Sequence, residues 1–124
     1  MKTPAISESE WKVMQLLWKK APQPAYDIIE ALSKTEDWHP NTIKTLLSRL
    51  QKKKALSATR YKNLFLYEPI VSQDECVKAE TDTFLQRVFG GSIKPLLVHF
   101  VENENLSKAE IEELKRILQK KGTK

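Results

Sequence analysis

Little in this chain points toward covalent chemistry or a membrane. Its 124 residues hold one cysteine, Cys76, so no internal disulfide can form, and a reducing cytoplasm is the expected compartment. No stretch approaches the roughly 20 consecutive apolar residues that a membrane helix needs, so no membrane insertion is expected. The first residues, Met1, Lys2, Thr3 and Pro4, do not lead into the apolar core of a secretion signal. Two histidines, His39 and His99, lie far apart, and neither has cysteine or carboxylate partners at metal-ligand spacing. No phosphate loop, dinucleotide fingerprint or nucleophile elbow occurs. No metal, cofactor or catalytic activity is therefore expected. Cys76 stands one turn into a helix and is read as a small buried apolar group rather than a reactive thiol.

Acidic residues are missing from one particular stretch. Between Pro40 and Tyr67 there is neither aspartate nor glutamate. Residues 1–71 carry 12 Lys/Arg against 7 Asp/Glu, whereas residues 72–124 carry 9 against 9, so the formal charge of +5 lies wholly in the first part. Such a local positive field attracts polyanions and speeds encounter with them.

Three helix starts share one signature: Ser7 with Glu10, Ser72 with Glu75, and Ser107 with Glu110. In each, the serine hydroxyl can accept the backbone N–H three residues on, and the glutamate can reach back to the serine N–H. Apolar residues on both sides (Ile6 and Trp11, Val71 and Cys76, Leu106 and Ile111) can staple the chain to the first turn. The first helix is expected over about Glu8–Lys20, burying Trp11, Met14, Leu17 and Trp18. Pro22 and Pro24 end it in a short extended link. A second helix carries Ala25, Ile28, Ile29 and Leu32. A third runs from about Pro40 to Lys53 with Ile43, Leu46, Leu47 and Leu50 on one stripe. Leu56–Arg60 and Leu64–Tyr67 read as strands around a Tyr61-Lys62-Asn63 turn. Three helices followed by a hairpin form the order of a winged helix-turn-helix, here over 1–71. Residues 72–124 return to helical patterning, with Gly90-Gly91 as a stop between helices. The expected fold is therefore mainly α: a winged helix-turn-helix and a helical C-terminal domain.

On the third helix, Asn41, Thr45, Ser48 and Lys52 lie opposite the aliphatic stripe, flanked by Thr42, Arg49 and Lys44. Short hydrogen-bonding side chains near the N-terminus and long cations beyond suit base edges first and phosphates later. Lys52, Lys53 and Lys54 leave the helix as a cationic cluster, and Arg60 and Lys62 place two more cations at the hairpin tip. His39 is expected to cap this helix or to meet a phosphate. The expected partner is double-stranded DNA. In the tail, Phe84, Leu85, Leu96, Leu97, Phe100, Ile111, Leu114 and Leu118 are more apolar surface than some 50 residues readily bury alone, so a second copy is expected to cover them. Folding back onto the first domain is the alternative. His99, just before Phe100, is expected to be structural.

Taken together, Ile6-Ser7-Glu8-Ser9-Glu10-Trp11, Val13-Met14, Leu17-Trp18, Trp38-x-Pro40-x-Thr42, Arg49-Leu50-x-Lys52-Lys53, Phe100-Val101-Glu102 and Leu106-Ser107 resemble the BlaI/MecI penicillinase-repressor family. The resemblance implies a homodimer that represses resistance genes from a dyad-symmetric operator. It also implies relief by cleavage, through a membrane-linked sensor metalloprotease, at the bond corresponding to His99–Phe100. Relatives usually have asparagine where His99 stands. They often have a glycine where Lys54 stands and another in the wing, where Asn63 or Leu64 stands, so the wing is expected to turn differently. The cysteine-rich tail of copper-responsive relatives is absent. Two other readings remain: a winged-helix protein-interaction module, and a repressor released by a small molecule through allostery.

Overall fold

The computed structural model describes residues 3–122; Met1 and Lys2, part of the N-terminal stretch considered above, lie outside it. The element order is α1 (Glu8–Lys19), β1 (Gln23–Pro24), α2 (Ala25–Ser33), α3 (Pro40–Lys52), β2 (Leu56–Tyr61), β3 (Leu64–Pro69), α4 (Gln73–Phe89), α5 (Ile93–Asn103) and α6 (Lys108–Gly122). The expected fold class holds: six helices and one small antiparallel sheet among the described residues.

All three serine–glutamate starts form capping boxes. Glu10 N–H donates to Ser7 Oγ at 3.2 Å while Ser7 N–H donates to Glu10 Oε1 at 2.9 Å. The same reciprocal pairs occur at Ser72/Glu75 and Ser107/Glu110. At the other end of α4, Gly90 and Gly91 take φ of 62° and 88°, and Gly91 N–H donates back to Leu85 O at 2.9 Å. The glycine pair thus stops the helix by supplying the left-handed turn that the preceding carbonyls need.

The core joins α1, α2, α3 and the root of the hairpin through Val13, Met14, Leu17, Ile28, Ile43, Leu47, Leu50 and Leu56, each at most 1% exposed. Two details differ from expectation. Trp11 and Trp18 are only half-buried, packed edge to face with centroids 5.4 Å apart, and Trp18 Nε1 donates to Val71 O at 3.0 Å. The deeper positions of α1 go to Glu10 and Val13 alongside Met14 and Leu17, while the large Trp18 indole packs against the edge of so small a core. The extended link also forms a third strand: β1 pairs with β3 through Gln23↔Tyr67 and Pro24↔Leu66, giving the order β1-β3-β2.

The contacts divide the chain into two compact units, one ending at Thr81 and the other beginning at Asp82. The sequence placed a boundary after Val71; the contact division falls inside α4. Val71 packs against the core and Cys76 is 2% exposed, so the first turn of α4 belongs to the first unit. In the second unit no described residue is buried.

Candidate nucleic-acid interface

Helix α3 turns Ile43, Leu46, Leu47 and Leu50 into the core, which obliges the opposite side to face outward. Asn41, Thr42, Lys44, Thr45, Ser48, Arg49 and Lys52 are all exposed. Proline at the first helical position needs no N–H partner, and His39 satisfies the next donor: its Nδ1 accepts from Asn41 N–H at 3.0 Å. His39 is therefore a cap. Thr45 Oγ1 donates to Asn41 O at 2.9 Å, which spends its proton within the helix and leaves its lone pair and methyl group outward. The first two turns thus present amide, hydroxyl and methyl groups beside the Lys44 ammonium, and the last turn presents Arg49 and Lys52.

The helix is anchored at both ends. At its entry, Lys12 Nζ lies 2.7 Å from Glu36 Oε1 and 5.9 Å from the Trp38 ring centroid, tying α1 to the segment that leads into α3. The direct Lys12 hydrogen bond lowers the Glu36 carboxyl below its ordinary range. At the exit stands an ion pair that sequence reasoning missed. Lys53 Nζ donates to Glu10 Oε1 at 2.5 Å and to Ala5 O at 2.9 Å, with the Glu10 side chain only 1% exposed. Burial alone would push the Glu10 carboxyl up; the Lys53 and Ser7 hydrogen bonds outweigh it, so its pKa is lowered. Lys53, expected beside Lys52 as a phosphate contact, is thus committed to holding α3 against the start of α1. The signal was present. Glu10 opens the series Glu10, Val13, Met14, Leu17 at i, i+3, i+4 and i+7, so a glutamate on the core stripe needed a cation.

The wing follows at once. Strands β2 and β3 pair from Leu56↔Pro69 to Tyr61↔Leu64, leaving Lys62 and Asn63 as the turn. The left-handed residue is Lys62, at φ 56°, rather than Asn63 or Leu64, where the family resemblance put a wing glycine. Arg60 and Lys62 are exposed at this tip, with Lys62 Nζ 5.4 Å from the Tyr61 ring centroid. The other candidates behave as structural groups. Burial, together with the charge of Glu75, raises the Cys76 thiol pKa and disfavours a reactive thiolate. His99 packs against Phe100, centroids 5.9 Å apart, and its carbonyl accepts from Asn103 Nδ2 at 2.9 Å. Among the described residues no cluster of three or more His, Cys, Asp or Glu could hold a metal ion.

An outward α3, a cationic wing and capped helices on either side match a known pattern across the chain. The penicillinase repressor family profile matches residues 6–120. The chain belongs to the penicillinase repressor family. It is 39% identical to the methicillin resistance regulatory protein MecI of Staphylococcus aureus strain N315 over 97% of this chain and 98% of that one. It is 37% identical to the penicillinase repressor of Bacillus licheniformis over 95% and 92% of the two chains. Among solution structures, the DNA-binding domain of the repressor BlaI superposes with a TM-score of 0.55 at 39% identity, covering 60% of this chain and 93% of that one. The monomeric form of Bacillus licheniformis BlaI in complex with the blaP half-operator gives a TM-score of 0.54 at the same identity, with coverage of 60% and 90%. Members of the penicillinase repressor family are transcription regulators rather than enzymes.

Proposed function

We propose that this repressor binds a dyad-symmetric operator as a homodimer, reading base edges with Asn41, Thr42, Thr45 and Ser48. Lys44, Arg49, Lys52, Arg60 and Lys62 then neutralise phosphate. The observation that carries the reading is the outward side of α3: fully exposed, free of acid from Pro40 to Tyr67, and continued by a cationic wing. Asparagine can pair bidentately with adenine, and a threonine methyl group can meet a thymine methyl. The relative solved with its half-operator supports the same use of the same fold.

Dimerisation finds support in the second unit. Phe84, Leu97, Phe100, Ile111, Leu114 and Leu118 are 37–58% exposed, and Leu85 and Leu96 are half-buried. Helices α5 and α6 enclose an open apolar groove of about 600 Å³, lined by Leu97, Val101, Leu106, Ile111, Leu114 and Leu118 among others. A second copy seated there removes apolar surface worth about 25 cal/mol per Å² from water. Control of β-lactam-resistance-type genes is supported by the likeness to a methicillin resistance regulatory protein and a penicillinase repressor. Relief by a membrane-linked sensor metalloprotease is the part of the reading that the family resemblance supports. His99–Phe100 lies within α5, so cleavage there requires the end of that helix to unwind into an extended chain. No described helix is long and apolar enough to cross a membrane.

The test is selection of duplexes from a random library by the full chain. Inverted repeats with half-sites about one helical turn apart support the reading, whereas failure to enrich any sequence contradicts it. Release of the selected duplex by a small molecule, without proteolysis, would establish the allosteric alternative instead.

A further inference from the structure

Two non-glycine residues among those described occupy the left-handed backbone region, and both are lysines: Lys54 at φ 65° and Lys62 at φ 56°. Lys54 closes α3. Its N–H donates to Gln51 O at 3.1 Å, and the N–H of Ala55 donates to Leu50 O at 2.9 Å, with Leu50 and Ala55 both fully buried. This hydrogen-bond pattern terminates a helix on a residue of positive φ, a position that favours glycine because a Cβ there crowds the neighbouring carbonyl. A lysine at such a site works against local stability. Its side chain is exposed, and among the described residues its ammonium meets no carboxylate that would offset that cost. The contrast with the adjacent Lys53, consumed by Glu10, is direct. Lys54 stands at the joint between α3 and β2, inside the acid-free stretch and between the two cationic surfaces.

We propose that Lys54 is a phosphate contact that takes the place in the interface left vacant by Lys53, and that the strained backbone is kept for the sake of that charge. The inference rests on the DNA-binding reading above. It implies that the 52–54 run divides its work, with the outer two lysines meeting DNA and the middle one holding the helix.

Lys54→Gly separates the two effects, since they have opposite signs. Melting and salt-dependent DNA binding of the full chain are measured for wild type, Lys54→Gly and Lys54→Gln. Lys54→Gly should raise Tm by about 2–6 °C while weakening binding about three- to tenfold, with the slope of log K against log salt reduced by about one unit. Lys54→Gln keeps the strained backbone, so it should show the same loss of affinity and slope with no gain in Tm. An unchanged salt slope in both variants overturns the phosphate contact. A Tm that does not rise in Lys54→Gly overturns the claim that stability is sacrificed. If wild type itself ignores duplex DNA at low salt, the parent reading fails instead.

Discussion

Replacing Lys53 by methionine distinguishes a strut from a DNA contact, and the structure sets the size of the effect. The substitution keeps most of the aliphatic stem but removes the ammonium that Glu10 Oε1 and Ala5 O both use. Glu10 is 1% exposed, so its carboxylate cannot turn to bulk water and retains only the Ser7 contacts. A buried charge stripped of its partner costs about 3–5 kcal/mol. Lys53 itself is 36% exposed, and the surviving Ser7 bonds soften the loss, so about 2–3 kcal/mol is expected. For a domain of this size that corresponds to a Tm lower by roughly 10–20 °C. Lys52→Met, one residue earlier and without a carboxylate partner among the described residues, should leave Tm nearly unchanged and lower the salt slope by about one unit. Thermal melts by circular dichroism and DNA-binding titrations at several salt concentrations read both quantities. The double variant Glu10→Gln/Lys53→Met should cost less than the sum of the single changes, because the orphaned charge is gone. The reasoning is refuted if Lys53→Met melts like wild type and loses salt dependence as Lys52→Met does.

Acid should probe the same pair. The folded state depresses the Glu10 pKa, so the pair's contribution is complete above the ordinary glutamate range and is lost as pH falls through the lowered value. Wild type should destabilise more steeply than Glu10→Gln below about pH 4.5 in melts taken across pH; parallel curves would contradict the pairing. Thr45→Ala removes a hydroxyl and a methyl group from the outward face and should change sequence preference by about 1–3 kcal/mol at one base position, measured by competition between duplexes. Leu118→Lys, on the rim of the α5–α6 groove, should shift the sedimenting species toward monomer while leaving the first unit folded.

Features governed by short-range chemistry were legible in the sequence. The capping boxes, the Gly90-Gly91 stop and the aliphatic stripe of α3 each depend on residues within a few positions of one another. Strand β1 was not, because two residues that include a proline carry no period and acquire strand character only from β3, some 40 residues on. The role of Lys53 was hidden for the same reason: Glu10 lies 43 positions away. Charge counting sees a run of three lysines as one cluster. Packing gives one of them a buried carboxylate and another a left-handed backbone. Trp11 and Trp18 lie to one side of the buried stripe of α1, and their depth depends on core volume, which periodicity does not measure. The tail helices showed their apolar faces in sequence, and within a single copy those faces stay largely open.

The most direct measurement is an NMR titration of the isotopically labelled protein with a selected operator duplex, following backbone amides residue by residue. The outward side of α3, from Asn41 to Lys52, and the wing tip from Arg60 to Lys62 should shift first and most, with α6 scarcely affected. Saturable perturbations centred on Trp11 and Trp18, or on α5 and α6, with the amides of Asn41, Thr45 and Ser48 unmoved, would contradict the assignment of α3 as the surface that reads DNA.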